Sequence, residues 1–163
     1  MSLLLRKIEK AKWMQNDILG GEDVSADAIT NCLKTTANAL SVWEVGDKSQ
    51  VSDAVLAMAS QFDHLDTIDI ALLCQGALGK AGLGVERSAA NTALADFADN
   101  HREVVRLTYR KLGELAGLIV DEIRANRIQR YTKGQLRTLL HAAVAKGRIN
   151  INDLREKVKC KVC

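Results

Sequence analysis

The sequence of 163 residues contains no proline, and only 4% of its residues are aromatic. Proline is typical of loops and edge strands, so a chain without it is most simply interpreted as helices joined by glycine-containing turns. A core with few aromatic side chains must be built from leucine, isoleucine, valine and alanine, which suits packed helices. We therefore predict a mainly α protein, a multi-helix bundle that forms one domain over residues 1–163.

Long apolar runs are missing as well. The run of leucines at residues 3–5 is interrupted at once by Arg6 and Lys7, so it does not resemble a secretion signal. No stretch approaches the roughly 18 apolar residues that a membrane span requires. Cys32 and Cys74 lie in apolar patterns, as reduced core cysteines do. We expect a cytoplasmic protein without a membrane partner.

Most of the chain has the apolar spacing of helices, with hydrophobic residues recurring every three or four positions. The predicted helices cover residues 2–18, 66–78, 87–98, 102–128, 132–145 and 151–159, and a shorter one begins at Ser52 or Asp53 and continues to Ala59. The run Leu40–Val45 is β-branched and aromatic and is followed by Gly46, so it predicts a short strand. This strand needs a pairing partner for its backbone groups, either a short extended piece of this chain or another chain. For residues 67–73 a strand is the alternative to a helix.

Several helix ends are marked by capping residues. Thr132 with Gln135 three positions later has the pattern of a capping box, which predicts that a helix begins there. Gly147 is placed to end that helix in the left-handed conformation, and Asn150 can cap a final helix. We therefore expect a helical hairpin at the C-terminus. Ser25 is a comparable cap for a short helix near the N-terminus.

A pair of glycines lies on the longest predicted helix, residues 102–128. Gly113 and Gly117 are four positions apart beside its apolar stripe, where the backbone of a second helix can approach most closely. In a bundle this spacing mostly reflects tight packing within the fold. A dimer contact is the alternative.

No acidic residue occurs between residues 123 and 152, whereas this segment contains seven cations. They are Arg124, Arg127, Arg130, Lys133, Arg137, Lys146 and Arg148. The spacing of Lys133, Arg137 and His141 by four positions puts them on one face of a helix, opposite an apolar stripe. Like charges repel one another, so such a cluster implies an anionic group nearby. We expect these cations to face outward toward a partner.

The charge is divided along the chain. Residues 1–100 contain 8 basic and 14 acidic side chains, and residues 101–163 contain 15 basic and 6 acidic ones. The predicted domain thus has an acidic part and a basic part, the latter made of the long helix and the hairpin. The two parts could attract each other within one fold, the basic part could bind nucleic acid or an acidic protein, or copies of the chain could assemble acidic part to basic part. The sequence leaves all three possibilities open.

Three patterns could carry chemistry, and each is incomplete. Residues 76–84 contain four glycines but match neither the Walker A loop nor the dinucleotide fingerprint, so they favour a hinge or a tight connection. Cys160 and Cys163 supply half of a zinc site, without a second pair at the spacing of a zinc finger. His64 lies close to Asp66 and Asp69, but both aspartates are expected to cap a helix. We predict no catalytic residue, no cofactor and no metal.

The sequence therefore favours a non-catalytic protein–protein interaction or accessory subunit of a larger intracellular, bacterial-type assembly. We expect another protein, or further copies of this chain, to bind through the seven cations and through Trp43 on the predicted strand. The alternative is a nucleic-acid-binding protein that uses the basic face of residues 124–148. Against that alternative, only Tyr131 interleaves with the cations, and Asp153 and Glu156 would repel phosphate.

Overall fold

The protein is a mixed α/β structure, in a computed structural model that describes residues 2–14 and 24–162. Within these residues six strands form one sheet, with helices on both of its faces. All pairs of neighbouring strands are antiparallel. The prediction of a mainly α multi-helix bundle is therefore wrong.

The sheet is built around the first strand of the chain. The strands are β1 (Leu3–Ile8), β2 (Leu40–Val45), β3 (Ile68–Cys74), β4 (Gly84–Arg87), β5 (His101–Val105) and β6 (Gln129–Tyr131). Their spatial order is β4-β5-β2-β1-β3-β6, which leaves the short strands β4 and β6 at the two edges. Strand β1 pairs with β2 on one side and, over its whole length, with β3 on the other.

Helices of very different lengths connect the strands. They are α1 (Lys10–Trp13), α2 (Ala26–Cys32), α3 (Val51–Ala59), α4 (Gln75–Lys80), α5 (Tyr109–Arg124), α6 (Lys133–Ala145) and α7 (Glu156–Val162). Short 3₁₀ turns cover Lys48–Gln50, Ala95–Asn100 and Ile151–Asp153. Across residues 2–14 and 24–162, no helix combines the length and hydrophobicity that crossing a membrane demands.

The sheet is buried on both faces, which gives the protein two apolar cores. Leu5 and Ile70 face the core formed with α3, α6 and α7, which we call the front layer. Leu4 and Leu73 face the core formed with α1, α2, α4 and α5, which we call the back layer. The adjacent residues Leu4 and Leu5 are both fully buried, each against a different layer.

This double burial explains the strands that the sequence pattern missed. Where a strand is buried on both faces, as at residues 3–5 of β1 and 70–73 of β3, successive residues are apolar instead of alternating, and over so short a run the pattern cannot be distinguished from that of a buried helix. The helix predicted over residues 2–18 is replaced by β1 and α1 in the described part of that segment. The helix predicted over 66–78 is replaced by β3 and α4, so the alternative of a strand over residues 67–73 is the correct one.

Two further predicted helices are also wrong. Residues 87–98 are irregular except for the end of β4 and the start of a 3₁₀ turn. The helix predicted over 102–128 is divided into β5 and α5, and Arg106 between them has a left-handed backbone with φ 55°. A continuous right-handed helix cannot pass through such a residue. The basic part of the chain therefore contributes strands as well as helices to the fold.

Several predictions that rest on local signals are confirmed. The strand at Leu40–Val45 forms with these bounds, but β1 and β5 flank it, so its pairing partners lie in this chain. Ser25 caps α2, and Thr132 with Gln135 forms a capping box at α6, which ends at Ala145 as predicted. Gly147 follows with φ 69°. The final helix, predicted over residues 151–159, forms instead as a 3₁₀ turn and then α7.

Candidate binding surface

The basic segment of residues 123–152 passes from the back layer of the fold to the front layer. It includes the end of α5, the edge strand β6 and all of α6. Because α5 and α6 pack on opposite faces of the sheet, the seven cations do not share one surface. Arg124 belongs to the back layer, whereas Lys133, Arg137 and Lys146 belong to the front layer.

Arg127 is paired with the carboxylate of Glu122, five positions earlier in the sequence. Its Nε and Nη2 donate hydrogen bonds to the two carboxylate oxygens of Glu122, at 2.8 and 2.7 Å. The hydrogen bond with Glu122 raises the pKa of the Arg127 guanidinium. Arg127 is exposed, so this pair contributes little to stability, and its charge is already balanced.

Arg130 is paired with a buried carboxylate from the acidic part of the chain. Its Nε and Nη2 donate to the two oxygens of Asp69 at 2.8 and 3.1 Å, and the backbone N–H of Lys10 donates to the same carboxylate at 3.1 Å. Burial alone would raise the pKa of Asp69, but these bonds hold it below its ordinary value. Asp69 therefore links β3 to the edge strand β6 and to α1, and the prediction that it caps a helix is wrong.

Arg148 joins three parts of the front layer. Its Nη1 donates to Asp53 of α3 at 2.7 Å, and its Nε donates to Asp96 in the 3₁₀ turn at 2.8 Å. The hydrogen bonds with Asp96 and Asp53 raise the pKa of the Arg148 guanidinium. For Arg130 and Arg148, the acidic and basic parts of the chain thus attract each other within one fold.

The other four predicted site cations are exposed and form no ion pair with the described residues. They are Arg124, Lys133, Arg137 and Lys146. Lys133 and Arg137 project from the outer side of α6 together with His141, as their spacing predicted, while Leu136 and Leu140 on the other side are buried. Helical periodicity therefore located the outer face of α6 correctly.

These residues belong to a larger basic surface. We use the name α6–α7 surface for the exposed side of residues 132–162, which contain eight cationic and two anionic side chains. Arg148 is paired with Asp53 and Asp96. Arg155 Nε lies 3.8 Å from Asp63 Oδ1, and Lys159 Nζ lies 3.5 Å from Glu156 Oε2. Five cations of this surface form no ion pair with the described chain: Lys133, Arg137, Lys146, Lys157 and Lys161. Of the two acids of this surface, Glu156 is paired with Lys159, and Asp153 forms no ion pair with any residue that the structure describes.

An excess of positive charge on two packed helices has a definite physical effect. Charges on a surface act over about 8 Å at physiological ionic strength, so each unpaired cation adds to the positive potential of its own part of α6 or α7. Such a potential accelerates the encounter with an anionic surface and fixes its orientation. The α6–α7 surface is thus suited to bind a negatively charged macromolecule.

Trp43, the remaining predicted contact residue, lies inside the protein. Its side chain belongs to the front core and is only 5% exposed. Its ring stacks on Phe97 with a centroid separation of 6.0 Å and meets the ring of His101 edge-on at 5.0 Å. A side chain with so little exposure offers almost no surface to a partner.

A serine–histidine contact is the feature that the sequence did not reveal. Ser41 Oγ and His101 Nε2 lie 2.5 Å apart, although the two residues are separated by 60 positions. His101 is buried, and its Nδ1 has no hydrogen-bond partner within the described chain. Burial lowers the pKa of His101, which outweighs the opposite effects of the Ser88 backbone and the Glu103 carboxylate.

Such a pair can act as nucleophile and base when a carboxylate holds the second ring nitrogen. No described carboxylate bonds to Nδ1 of His101, so this pair lacks the group that would orient the imidazole. The sequence could not have indicated the contact, because His101 falls at a break between two segments that were predicted as helices. The contact bonds the side chains of β2 and β5, which are neighbours in the sheet.

The other candidate motifs do not assemble into a site. Asp69 is bonded to Arg130, while His64 Nε2 lies 3.4 Å from Lys157 Nζ. Within residues 2–14 and 24–162, no group of three or more side chains could hold a metal ion. Cys160 is an exposed free thiol, and Cys163 lies outside the described residues. The glycine-rich stretch forms α4 and a tight turn to β4, in which Gly82 has φ 70°.

Comparisons of this chain with protein-family models, with curated proteins and with solved structures find no match.

Proposed function

We propose that this chain is a non-catalytic accessory subunit that binds an acidic partner protein through its α6–α7 surface. The observation that supports this proposal most directly is the excess of cations on this surface: among the residues that the structure describes, five of its cations and one of its carboxylates form no ion pair. Arg148 of the same surface already pairs with Asp53 and Asp96 of the front layer. The remaining positive charge is therefore available to a partner.

The rigidity of α6 supports the same proposal. The capping box at Thr132 fixes the beginning of the helix, and Leu136, Leu140 and Ala143 anchor its inner side in the front core. Lys133 and Arg137 therefore project from a well-anchored element. Charged groups on a rigid element lose less conformational freedom on binding, so more of their interaction energy contributes to affinity.

An acidic protein fits this surface better than a nucleic acid. Asp153 and Glu156 lie at the turn and at the first residue of α7, where they would repel phosphate groups. Tyr131, the aromatic residue nearest in sequence to the cations, is half-buried, so it offers little ring surface for a base to stack on. A folded acidic protein tolerates two carboxylates among eight cations by placing its own cations opposite them.

The proposal is tested by affinity capture of the tagged chain from a cell extract at native salt, with and without nuclease. The test variant changes Lys133, Arg137 and Lys146 to glutamate. The control variant changes Lys34, Lys48 and Lys80 to glutamate, which alters the net charge equally at exposed positions outside α6 and α7. We expect the wild type and the control variant to retain one protein in stoichiometric amount after nuclease treatment, and the test variant to lose it.

Two results would contradict the proposal. Equal capture by both variants would show that the α6–α7 surface is not the docking face. Loss of all captured material on nuclease treatment would favour the alternative of a nucleic-acid-binding protein. Capture should also weaken steeply as the salt concentration rises, because the contacts are between charged and largely exposed groups.

We further propose that the protein is cytoplasmic. Cys32, Cys74 and Cys160 are all free thiols, which is usual in a reducing compartment. Fractionation of cells that express the tagged chain, with a cytoplasmic and a periplasmic marker enzyme as references, tests this point.

A further inference from the structure

The back layer contains an apolar groove along the outer side of α5. Its volume is about 440 Å³, and its walls include Ile29 from α2 and Leu112, Ala116 and Val120 from α5. Tyr109 stands at one end of the groove and is 94% exposed, which is unusual for a large aromatic side chain. The groove is on the opposite face of the sheet from the α6–α7 surface.

Two glycines form the floor of this groove, and the described structure around them leaves room for larger side chains. Gly113 and Gly117 both lie within α5, where glycine weakens a helix relative to alanine. A Cβ atom added at either position would meet no described atom within 4 Å. The expected tight packing of these glycines against another helix of the same fold is therefore absent from the described structure. Because glycine has no side chain, a second helix could come close to the backbone of α5 at these two positions without meeting a described atom.

Charged residues lie near the two ends of this outer face, and Arg124, three positions beyond Asp121, also lines the groove. Arg110 precedes the glycines and Asp121 follows them, both are exposed, and neither forms an ion pair with the described residues. Eleven positions separate the two, which is close to three helical turns, so they lie on the same side of α5 but cannot reach each other within one chain. Arg110 and Asp121 are therefore complementary to each other in an antiparallel copy of α5, whereas Arg124 lies level with residue 106, beyond the second α5.

We propose that a second copy of this chain docks in the groove, with the two α5 helices antiparallel about a two-fold axis. With the axis midway between the glycines, Gly113 of each copy faces Gly117 of the other, which allows the backbones to approach closely. Arg110 then lies within one residue, about 1.5 Å along the axis, of the level of Asp121 in the second copy. Tyr109 lies level with that aspartate, so its hydroxyl can donate to the carboxylate while its ring becomes buried.

The charge pair gives a test that does not depend on any other partner. The mass of the full-length chain is measured by sedimentation equilibrium over a range of concentrations. We expect the wild type to approach twice 17.8 kDa. Arg110→Asp alone and Asp121→Arg alone should each weaken the association about tenfold, because each places like charges opposite each other twice. The double variant, Arg110→Asp with Asp121→Arg, should restore the association, because the exchanged charges again face opposite ones.

A second variant tests the close approach of the helices. Gly113→Ala combined with Gly117→Ala should strengthen α5 within one chain, because alanine is the better helix former, yet weaken the association by separating the two backbones. The matched control is Lys80→Asp on α4, an exposed cation of the same layer outside the groove, which should leave the association unchanged.

Several outcomes would overturn the proposal. If the wild type has the mass of one chain at every concentration, the protein is not a dimer. If it has the mass of two chains and neither single charge variant lowers this mass, the interface lies elsewhere. Failure of the double charge exchange to restore association excludes the antiparallel pairing, and association unaffected by the alanines excludes the close approach. The Lys133, Arg137 and Lys146 glutamate variant should dimerise like the wild type, so this inference does not depend on the proposed function.

Discussion

Polar side chains inside an apolar fold must find hydrogen bonds, and Arg6 of the central strand β1 finds them at backbone carbonyl groups. Its Nε and Nη2 donate to the oxygen of Cys32 at 3.0 and 2.6 Å, and its Nη1 donates to the oxygen of Ser41 at 2.8 Å. Cys32 is the last residue of α2, where the helix dipole favours a cation. Burial lowers the pKa of Arg6, but a guanidinium stays protonated at physiological pH.

His101 should make the stability of the protein depend on pH. Burial holds the pKa of its imidazole below the ordinary value of about 6.5, so below that pH the unfolded chain takes up a proton that the folded chain does not. The free energy of unfolding should therefore fall as the solution becomes more acidic. We expect His101→Gln to flatten this dependence between about pH 7 and pH 5, as measured by urea unfolding at several pH values.

The matched control for this prediction is His141→Gln, because His141 is exposed on the outer side of α6. That variant should keep the pH dependence of the wild type. Identical pH profiles for His101→Gln and the wild type would show that His101 does not carry the effect.

Replacing Arg130 should lower the stability of the protein more than replacing its partner Asp69. Asp69 is 6% exposed, whereas the side chain of Arg130 is 59% exposed. Arg130→Met leaves a buried carboxylate that only the Lys10 N–H still bonds, and we expect it to destabilise the protein by about 1–3 kcal/mol at neutral pH. Asp69→Asn leaves an arginine that water can solvate, so its cost should be smaller.

Urea unfolding at neutral and acidic pH measures both effects. In the Arg130→Met variant only Lys10 still opposes the effect of burial, so the pKa of Asp69 should be higher than in the wild type, and part of the lost stability should be regained as the pH falls and the carboxylate takes up a proton. If Asp69→Asn proved the more damaging change, the explanation by burial would be incorrect.

At the scale of elements, the beginning of α6 is the best-defined helix end. The side chain of Thr132 accepts a hydrogen bond from the backbone of Gln135, and the Gln135 side chain accepts one from the backbone of Thr132. We expect Thr132→Ala to cost about 1 kcal/mol of stability, because the backbone N–H of Gln135 loses its acceptor and the Gln135 side chain loses the hydroxyl that donates to it. Urea unfolding of the variant checks this value.

Thr138→Ala is the natural control for that measurement. Thr138 lies in the middle of α6, and its hydroxyl donates to the Gly134 carbonyl of the same helix. Alanine is the better helix former there, so the variant should be as stable as the wild type or slightly more stable. If both variants lost the same free energy of unfolding, the position of Thr132 at the beginning of the helix would add nothing to the effect of removing a threonine hydroxyl.

The helices and strands that were predicted correctly are marked by residues a few positions apart in the sequence. The capping box at Thr132 and the left-handed Gly147 depend on residues a few positions apart, and both were predicted correctly. Strands β1 and β3 were predicted as helices because their hydrogen-bond partners lie up to 71 positions away, as Leu3 and Cys74 do. A pattern within one segment carries no information about such pairing, and burial on both faces removes the alternation that marks most strands.

The same distinction applies to the candidate binding surface. The outer face of α6, with Lys133 and Arg137, could be predicted because it follows from helical periodicity alone. The carboxylates that neutralise Arg130 and Arg148 could not, because they are brought close by tertiary packing of distant segments. The division of the seven cations between two layers also depends on the position of β6 at the edge of the sheet.

At the scale of the whole molecule, Arg148 connects the C-terminal part of the chain to its acidic part. Double-mutant cycles of Arg148→Met with Asp53→Asn and with Asp96→Asn should each give a coupling of roughly 0.5–1 kcal/mol at low salt, because all three groups are partly exposed. Added salt should reduce both values. Urea unfolding of the single and double variants provides the measurement.

The ion pair between Arg87 and Asp99 serves as the reference. Their side chains are 64% and 88% exposed, and their coupling should be too small to measure. Couplings of equal size at the two places would indicate that Arg148 is no more important than an ordinary surface charge.

The position of β1 at the centre of the sheet has a consequence for synthesis of the protein. The ribosome releases the Leu3–Ile8 strand before either of its neighbours exists, and β3 is complete only once Cys74 has been added. Until then at least one edge of this largely apolar strand is unpaired on the nascent chain, which is a state prone to aggregation. Folding must therefore be largely postponed until β3 has emerged, and a chaperone that shields Leu3–Ile8 during translation would raise the yield of native protein.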